Sequence, residues 1–244
     1  MGKINKAILL SAGFGTRLRP ITDSIPKCLV PINGKPLLAY WLEQLTAVGI
    51  NEFLINTHYL AEQVVKFIES SPYQDRITLF NEPDLLGTLG SVKANKDFWR
   101  NQDVLVAHAD NLVFCDWQAY FTAFEQRPSD CVGTMMLFES DNPQSCGIVE
   151  LDEESKVIAF HEKVANPPSN LANGAIYLFD GSLARCVDAL PSHASDISID
   201  LMPSMLGKMN AWQNNEYLRD IGNPKSLAIA NEYVKQRNTE VSSC

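Results

Sequence analysis

The first half of the chain alternates short apolar runs with segments of helical periodicity. Strands that are each followed by a helix build a mainly parallel sheet whose faces the helices cover. In such a sheet, ligands bind at the carboxyl ends of the strands. The apolar runs predict strands at residues 7–10, 53–56, 77–80 and 104–107, and the helical segments predict helices at 37–48, 60–68 and 89–98.

The first of these helices shows the pattern most clearly. Leu38, Trp41, Leu42 and Leu45 occupy the i, i+3, i+4 and i+7 positions of one helix face. Gly49 follows at the position where a glycine commonly ends a helix. An amphipathic helix that packs on the sheet is therefore expected after the opening loop.

The second half of the chain changes character. Its apolar runs are separated by turn-like segments instead of helices, which predicts a mixed or antiparallel extension of the sheet. The predicted elements are strands at 131–138, 147–151, 157–161, 175–179 and 211–218, helices at 183–190 and 201–209, and a C-terminal helix that begins at Pro224.

No linker or internal repeat divides the chain. We therefore expect one domain over residues 1–237 with two lobes, one at 1–130 and a smaller, β-rich one at 131–237. The polar residues 238–244 are expected to form a frayed tail.

The composition is that of an ordinary globular protein, with 45% hydrophobic and 20% charged residues among 244. No apolar run approaches the roughly 20 residues of a membrane helix, and the opening run is too short for a signal-peptide core. The six cysteines are scattered without a C-x-x-C pair, which favours reduced thiols over a zinc site or a disulfide framework. These features predict a cytoplasmic protein that does not bind membranes.

The net charge of −9 argues against nucleic acid as a partner, because nucleic acid needs a broad basic surface. The first 36 residues differ from the rest, since their only acidic residue is Asp23. A basic island on an acidic protein suggests a local anionic ligand. The basic residues of this island are Lys3, Lys6, Arg17, Arg19, Lys27 and Lys35.

A glycine loop follows the first predicted strand, with the sequence Ser-Ala-Gly-Phe-Gly-Thr at residues 11–16. Glycine lets backbone N–H groups approach a phosphate closely. The loop lacks the Gly-Lys-Ser/Thr of a Walker A motif and the third glycine of a dinucleotide fingerprint. By itself it is a weak signal that a plain tight turn would also explain.

A longer string around this loop carries a resemblance. Residues 13–20 are Gly-Phe-Gly-Thr-Arg-Leu-Arg-Pro, residues 26–31 are Pro-Lys-Cys-Leu-Val-Pro, and residues 34–36 are Gly-Lys-Pro. This compound pattern resembles the opening of the sugar-1-phosphate nucleotidyltransferases, also called NDP-sugar pyrophosphorylases. Ser11 and Cys28 replace the usual Ala or Gly and the frequent Pro of that family, but neither change removes a charge or a loop glycine.

The resemblance implies roles for the opening residues. In the family, the loop wraps the triphosphate of an NTP, an arginine contacts the leaving pyrophosphate, and a lysine contacts the reacting phosphates. Those roles fall to Arg17 and Lys27. The implied nucleotide-binding set is Ser11, Ala12, Gly13, Gly15, Thr16, Arg17, Lys27, Glu82, Gly87 and Thr88.

Further motifs follow in the family's order over nearly the whole chain. Leu-Gly-Thr-x-Gly at residues 86–90 resembles the loop near the base. Asp110 resembles a metal-binding aspartate, although Ala109 replaces the glycine that usually precedes it. Arg-Asp-Ile-Gly at residues 219–222 resembles the motif whose aspartate, here Asp220, is a second metal ligand. The implied sugar-phosphate set is Gly147, Glu162, Lys163 and Asn173.

Each motif alone has an ordinary structural explanation. An aspartate at a strand end is more often a helix cap or turn residue than a metal ligand, and a Glu-Lys pair is usually a solvated surface pair. The common order of the motifs favours the family. The resemblance implies a Rossmann-like (GT-A-type) α/β fold, a mixed and mainly parallel sheet flanked by helices, with 1–130 as the nucleotide-binding lobe and 131–237 as the sugar-binding lobe.

The implied reaction is of EC 2.7.7 type: a sugar 1-phosphate attacks the α-phosphate of an NTP in line, and an NDP-sugar and pyrophosphate result. Such transfer depends on positioning and charge neutralisation. We expect Asp110 and Asp220 to hold Mg²⁺ between the reactants. Lys27 and Lys163 would offset the repulsion between the two anions, and Arg17 would steady the pyrophosphate. Arg17, Lys27 and Asp110 form the expected catalytic set.

Glu82 bears on which base is bound. It stands where uridylyl and thymidylyl members of the family tend to have glutamine. A carboxylate only accepts hydrogen bonds, which suits N1–H and the 2-amino group of guanine. The resemblance is then to the mannose- and heptose-1-phosphate guanylyltransferases, with GTP favoured over UTP. The alternative is that Glu82 faces solvent and the backbone alone recognises the base.

The identity of the sugar and the pathway that the product serves, such as polysaccharide biosynthesis, stay open.

Two other classes also stay open. A glycosyltransferase that uses an NDP-sugar has a similar nucleotide-binding lobe, but usually shows an Asp-x-Asp motif where this chain has Ala-Asp-Asn at residues 109–111. A non-catalytic regulatory relative typically lacks the loop arginine, the lysine or an aspartate, all of which this chain retains. The sequence does not determine the oligomeric state, although relatives often form homo-oligomers.

Overall fold

A nine-stranded mixed sheet and two small two-stranded sheets make up the β-structure of residues 4–241, the part of the chain that this computed structural model describes. The strands are β1 (Lys6–Leu10), β2 (Pro31–Ile32), β3 (Lys35–Pro36), β4 (Glu52–Thr57), β5 (Ile77–Asn81), β6 (Val104–His108), β7 (Asn111–Phe114), β8 (Gly133–Glu139), β9 (Gly147–Leu151), β10 (Val157–Glu162), β11 (Leu171–Phe179), β12 (Met209–Gln213) and β13 (Tyr217–Asp220). The helices are α1 (Leu37–Ala47), α2 (Ala61–Glu69), α3 (Thr88–Ala94), α4 (Lys96–Trp99), α5 (Trp117–Glu125), α6 (Leu183–Asp188) and α7 (Pro224–Val241).

The four strands predicted in the first half form the parallel part of the sheet, in the order β5-β4-β1-β6. β1 lies between β4 and β6, with Leu10 opposite Asn56 on one side and His108 on the other. Because the four strands run in one direction, their carboxyl ends lie at the same edge of the sheet. The expected edge for ligand binding is therefore present.

β11 changes the sheet from parallel to antiparallel. Its second half, from Ile176, runs against β6, and β8 pairs along its other side. A bulge between Asn173 and Tyr177 interrupts the ladder with β8 and contains Ala175 at φ 54°. β9 meets the first half of β11 at Ala172, β10 pairs with β9, and β12 pairs with β8. The predicted fold class, a mixed and mainly parallel Rossmann-like sheet with a β-rich second half, is confirmed.

Both faces of the sheet are covered, as the alternation along β1 shows. Ala7 and Leu9 belong to one apolar core, and Ile8 and Leu10 belong to the other. α1, α5 and α7 contribute to the first core, whereas α3 and α6 contribute to the second. A strand buried on both sides needs a continuous apolar run, which is the pattern that the sequence shows there.

α1 follows its predicted pattern. All four apolar residues of the predicted face are buried. The helix ends at Ala47, and Gly49 adopts φ 103°. The Gly49 N–H donates to the carbonyl of Thr46 at 3.1 Å, which closes the last turn.

The prediction of a helix at residues 201–209 is wrong. The chain instead forms a π-helical turn at Ile197–Leu201 and a 3₁₀ turn at Met202–Met205, and β12 begins at Met209. Pro203 has no N–H to donate, and Gly207 lies at φ 73°, so a regular α-helix does not continue through this stretch.

The strand predicted at 211–218 is two strands, β12 and β13, in two different sheets. The Asn214 side chain donates to the carbonyls of Phe114 and Tyr217, at 3.1 Å each, and holds the turn between them. The helix predicted at 89–98 is likewise two helices, α3 and α4, which separate at Asn95. These interruptions depend on side chain–backbone contacts that an apolar pattern does not reveal.

The sequence interpretation missed α5, β7 and the β2–β3 hairpin. α5 has both of its signals in the sequence: Asp116 accepts from the Ala119 N–H at 2.9 Å as an N-cap, and an apolar stripe follows. α7 begins at Pro224, as predicted, and continues to Val241, so it includes the first residues of the expected tail. Residues 242–244 lie outside the described part. Over residues 4–241, none of the helices has the length and apolar character to cross a membrane.

We expect Tyr120→Phe to lower the free energy of unfolding by about 1–2 kcal/mol. The buried Tyr120 hydroxyl has two carbonyl acceptors within hydrogen-bond distance, Thr134 (2.9 Å) and Ile176 (3.0 Å), and its single proton ties α5 to these two strands. Urea denaturation measures the change. The control is Tyr59→Phe, whose hydroxyl donates near the surface to Asp23 at 3.3 Å and should cost less than about 0.5 kcal/mol. Equal losses in both variants would contradict the prediction.

Candidate active site

The glycine loop and Asp110 lie at the same edge of the sheet. The loop follows β1, and Asp110 comes two residues after the end of β6, the strand beside β1. The Ala109 N–H donates to the carbonyl of Leu10 at 2.9 Å, which continues the pairing of the two strands into the loops. Parallel pairing therefore places a glycine loop next to a carboxylate.

A buried lysine connects this carboxylate to a second one. The Lys27 Nζ donates to Asp110 Oδ2 at 2.7 Å and to Asp220 Oδ1 at 2.6 Å. The Lys27 side chain is 8% exposed, whereas those of Asp110 and Asp220 are 36% and 42% exposed. One cation thus holds two carboxylates that remain open to the solvent side.

The small sheet of β7 and β13 positions Asp220. Asp220 pairs with Asn111, and the Ile221 N–H donates to the carbonyl of Asp110 at 3.3 Å. Arg17 Nη2 donates to Asp220 Oδ2 at 3.1 Å. A Cβ at Gly222 would lie 2.7 Å from Asp220 Oδ2 and 2.8 Å from Arg17 Nη2, so this position needs glycine.

The charges of this cluster shift each other's pKa. Burial alone would raise the pKa of Asp110, but the Lys27 ammonium more than offsets it, and the pKa of Asp110 lies below its ordinary value. Burial likewise opposes the charged form of Lys27, but its two carboxylate partners raise the pKa of Lys27 above the ordinary value. Lys27 and Asp110 are therefore both charged at neutral pH.

A cavity of about 230 Å³ opens between the glycine loop and the N-terminal end of α3. Ala12 and Gly13 line it from one side, and Gly87 and Thr88 line it from the other. Glu82 also lines this cavity and is 1% exposed. We call it the base pocket, since it brings together the residues that the sequence assigns to the base and the loop.

Glu82 is held by donors of the protein itself. Its Oε1 accepts from Asn56 Nδ2 at 2.8 Å and from the Ser91 hydroxyl at 2.5 Å, and its Oε2 accepts from the Leu86 N–H at 3.0 Å. The Glu82 side chain therefore does not face solvent. A carboxylate offers about four acceptor positions, so these contacts leave one position on Oε2.

A second, larger cavity of about 550 Å³ lies on the other side of Asp110. Gly147, Glu162, Lys163 and Asn173, the whole predicted sugar-phosphate set, line it, together with Arg17, Asp110 and Asp220. A Cβ at Gly147 would lie 2.7 Å from Glu162 Oε2, and Glu162 pairs with Lys163 at 2.8 Å. We call this cavity the sugar cleft.

The two cavities meet at His108 and Asp110, the two residues that line both of them. Sequence interpretation assigned no role to His108. Its Nε2 is buried and has no hydrogen-bond partner among the described residues. Two pockets that share a carboxylate can bring two ligands into contact at that carboxylate.

Other predicted residues support the site without lining either cavity. The Ser11 N–H donates to Asn56 Oδ1 at 2.6 Å, which orients the amide that holds Glu82. Gly15 has φ 63°, and a Cβ there would lie 3.2 Å from the Lys27 Cβ. Thr16 is exposed at the start of a 3₁₀ turn. Burial raises the pKa of Cys28 to about 12, so this thiol stays protonated.

The basic island contributes less than its composition suggested. Lys6 pairs with Glu52, Arg19 with Asp23, and Lys35 with Glu43, and none of these three lines either cavity. Lys3 lies outside the described residues. Of the described basic residues in this segment, Arg17 and Lys27 reach the site.

Sequence interpretation missed several residues of the two cavities. Asn56 and Ser91 line the base pocket, and Cys146 and Ser198 line the sugar cleft. Asn56 had one signal, a polar residue in a strand that is otherwise apolar. Ser198 had none, because the π-helical turn that carries it has no recognisable sequence pattern.

The fold and the site define a class. A glycine loop and a buried lysine–aspartate cluster lie at the carboxyl edge of a Rossmann-like sheet, next to two adjoining cavities. This arrangement is typical of nucleotide-binding α/β proteins.

Comparison with known proteins identifies the family. The sequence model described as Nucleotidyl transferase matches residues 6–237. The chain belongs to this family, and the predicted resemblance to the sugar-1-phosphate nucleotidyltransferases is confirmed.

Curated relatives with different names match over most of the chain. The bifunctional protein GlmU of Methanocaldococcus jannaschii is 30% identical, over 96% of this chain and 56% of its own length. The mannose-1-phosphate guanylyltransferase of Mycobacterium tuberculosis is 30% identical, over 91% of this chain and 62% of its own. The glucose-1-phosphate thymidylyltransferase of Streptomyces griseus is 29% identical, over 94% and 61%. The chain thus spans less than two thirds of the length of these relatives.

Solved structures share the fold. A Bacillus anthracis protein assigned as a glucose-1-phosphate thymidylyltransferase, in complex with sucrose, superimposes with a TM-score of 0.83 at 25% identity and covers 93% of this chain and 94% of its own. HddC from Yersinia pseudotuberculosis has a TM-score of 0.79 at 23% identity, over 95% of this chain and 100% of its own.

We expect Lys27→Met to destabilise the protein in a pH-dependent way. In the native protein the pKa of Asp110 is lowered, so its carboxylate stabilises the fold above the ordinary pKa, and this contribution is lost as the pH falls through the folded-state pKa. Without the ammonium, burial and Asp220 would raise the pKa of Asp110. Its carboxylate then destabilises the fold above the raised pKa, and this cost disappears as the pH falls.

The free energy of unfolding of Lys27→Met should therefore lie below that of the wild type at about pH 7 and approach it toward about pH 4. Urea denaturation across this range measures the difference. Lys35→Met is the control, because Lys35 pairs with Glu43 at the surface and should show little effect and no such trend. A deficit of Lys27→Met that stays constant with pH would contradict the expectation.

Proposed function

We propose that this chain joins an NTP, with GTP favoured, to a sugar 1-phosphate and releases pyrophosphate. A phosphate oxygen of the sugar 1-phosphate attacks the α-phosphorus of the NTP. The new O–P bond forms as the bond from the α-phosphorus to the oxygen of the β-phosphate breaks. The products are an NDP-sugar and pyrophosphate, and no general base is needed, because a sugar phosphate is already ionised at neutral pH.

The observation that carries this proposal is the position of the Lys27–Asp110–Asp220 cluster. It lies where the base pocket and the sugar cleft adjoin, and Asp110 lines both cavities. A nucleotide with its base beside Glu82 and a sugar phosphate beside Glu162 would meet at this cluster. Both ligands are anions, so a reaction between them needs nearby positive charge.

The basic residues of the site supply that charge. Lys27 lies beneath the junction and is charged at neutral pH. Arg17 lines the sugar cleft and contacts Asp220, so it lies near the departing pyrophosphate in this proposal. Lys163 lines the same cleft and would contact the sugar phosphate. These roles need only side chains that bind and orient oxygens.

The donor set fits Mg²⁺. Asp110 and Asp220 offer carboxylate oxygens, and both are partly open to the cleft. Mg²⁺ is commonly bound by one or two carboxylates together with substrate phosphates, and the described residues contain no larger cluster of candidate ligands. Bound there, the ion would polarise the α-phosphate and neutralise its charge. Lys27, which links the two carboxylates, would keep them in position.

The preference for GTP depends on Glu82. A carboxylate in the base pocket accepts hydrogen bonds and donates none, which matches guanine N1–H better than a uracil or thymine carbonyl. One acceptor position on Oε2 remains, because the protein donors use the others. Relatives named as guanylyl and as thymidylyl transferases match the chain about equally well, so uridylyl or thymidylyl transfer is the competing outcome.

The same proposal includes a cytoplasmic setting and a place in NDP-sugar biosynthesis. Five cysteines within the described residues are free, which suits a reducing compartment. A regulatory protein without catalysis is disfavoured, since Arg17, Lys27, Asp110 and Asp220 are all present and in contact.

The test is pyrophosphate release with Mg²⁺, from each of four NTPs with mannose, glucose, glucosamine and heptose 1-phosphates. Release with GTP and one of the sugars supports the proposal in full. Release with UTP or dTTP alone supports the reaction and contradicts the base. If no pair reacts and no NTP binds by calorimetry, the proposed function is wrong.

Asp110→Asn and Asp220→Asn should each lower kcat/KM by about two orders of magnitude or more, because an amide is a poor Mg²⁺ ligand. Mg²⁺-dependent binding of the NTP, measured by calorimetry, should weaken in parallel. Asp188→Asn is the matched control, as Asp188 forms a surface pair with Lys96. Variants of Asp110 and Asp220 with wild-type activity and Mg²⁺ dependence would contradict the metal assignment.

Glu82→Gln should raise the KM for GTP relative to that for UTP. The amide keeps the shape, but its NH₂ group must face either the Leu86 N–H or the donors Asn56 and Ser91. Either orientation places two donors opposite each other, removes the negative charge, and disturbs the acceptor that guanine would use. Steady-state kinetics with both nucleotides measures the ratio. Glu62→Gln, a substitution on the exposed surface of α2, is the control. An unchanged GTP-to-UTP ratio in Glu82→Gln would show that Glu82 does not select the base.

A further inference from the structure

Residues 191–201, which we call the bridging segment, lie against the N-terminal end of α3. The carbonyl of Ser195 accepts from the N–H groups of Leu89 at 2.9 Å and Gly90 at 3.2 Å. Lys93 Nζ donates to the carbonyls of Ala194 at 2.7 Å and Pro191 at 3.2 Å. The segment therefore caps N–H groups that begin α3 and otherwise lack helical partners.

The same segment contacts the wall of the base pocket. The Thr88 hydroxyl oxygen accepts from the Ile197 N–H at 2.8 Å. A Cβ at Gly87 would lie 2.5 Å from the Ser195 carbonyl oxygen, so the loop and the segment are in direct contact. Gly87 and Thr88 both line the base pocket.

Internal hydrogen bonds connect the backbone of the segment to its own side chains. Asp196 Oδ1 accepts from the N–H groups of Ser198 at 2.7 Å and Ile199 at 3.0 Å. Asp200 Oδ2 accepts from those of Ser195 at 2.7 Å and Asp196 at 2.8 Å. A displacement at Ile197 would therefore move Ser198 as well.

Ser198 follows Ile197 in the same π-helical turn and lines the sugar cleft. Asn173, whose Nδ2 donates to the Tyr177 hydroxyl at 2.7 Å, lines the same cleft. The hydrogen bond from Ile197 to Thr88 thus joins a residue of the base pocket to the turn that carries Ser198 in the sugar cleft.

We infer that Thr88 is a positioning residue for the sugar side of the site: through Ile197 it holds Ser198 in place for the sugar 1-phosphate. The inference rests on the proposed function, because it takes the two cavities to hold the two substrates. Its consequence is specific. A substitution at a residue that lines the base pocket weakens binding of the sugar phosphate.

Thr88→Val tests this inference, because valine keeps the branched shape and lacks the hydroxyl that accepts from Ile197. With the active substrate pair, the KM for the sugar 1-phosphate should rise about three- to tenfold, the effect of one lost hydrogen bond, and by more than the KM for the NTP. Thr88→Ser keeps the hydroxyl and should return the ratio of the two KM values toward that of the wild type. A Thr88→Val variant that raises only the KM for the NTP, or neither, overturns the inference.

Lys93→Met provides a second test outside both cavities. It releases the anchor of the bridging segment at Ala194 and Pro191, so it should also raise the KM for the sugar 1-phosphate and leave that for the NTP unchanged. Lys96→Met is the matched control, because Lys96 joins α4 to Asp188 and does not contact the segment. If Lys93 has only a structural role, Lys93→Met lowers the melting temperature and leaves the ratio of the two KM values at the wild-type value. That result overturns the inference.

Wild-type protein that releases no pyrophosphate with any pair and binds no NTP overturns the proposed function and this inference with it. Active wild-type protein combined with an unchanged KM for the sugar phosphate in Thr88→Val and Lys93→Met overturns this inference alone.

Discussion

The candidate active site depends on one buried cation, the ammonium of Lys27. A buried charge is stable only when partners compensate for the water it has lost. Lys27 finds two, Asp110 at 2.7 Å and Asp220 at 2.6 Å, and these lie 83 and 193 residues away along the chain. The same contacts bring the opening loop, the end of β6 and the end of β13 to one point. The two contacts that compensate the charge of Lys27 thus also fix both carboxylates at the place where the two cavities adjoin.

The sheet explains why two cavities adjoin at this point. The parallel strands β5, β4, β1 and β6 all end at one edge of the sheet. The glycine loop, Glu82 and Asp110 therefore lie together around the base pocket. β11 then runs antiparallel beside β6, and its bulge between Asn173 and Tyr177 lies next to Asp110 in the wall of the sugar cleft. The change of strand direction therefore separates the base pocket from the sugar cleft and leaves Asp110 between the two cavities.

Glu82 shows how the surroundings of a residue limit its role. A carboxylate before the Leu-Gly-Thr loop is a candidate for guanine recognition by its chemistry. In the structure it is also a structural group, because Asn56, Ser91 and the Leu86 N–H already bind it. One side chain holds the loop and keeps a single acceptor position. In the proposed reaction, selection of the base would then depend on the shape of the loop as well as on the charge of Glu82.

Much of the fold was predictable because it depends on local patterns. The continuous apolar runs of β1 and β6, the stripe of α1 and the glycine at position 49 are each determined by neighbours a few residues away. The errors fall where a distant contact decides the backbone. Asn214 divides a predicted strand through its bond to Phe114, and residues 201–209 form turns instead of a helix because Pro203 and Gly207 interrupt it.

The sequence by itself determined the family and the charged residues of the site, because motifs of fixed type and spacing carry that information locally. It assigned no role to His108 or Ser198. It also did not reveal that the Lys27 ammonium is buried between Asp110 and Asp220 where two cavities adjoin, whereas Lys6 and Lys35 pair with surface acids. Only the tertiary structure decided this, because the burial of a charge and the meeting of two cavities are properties of segments far apart in the chain.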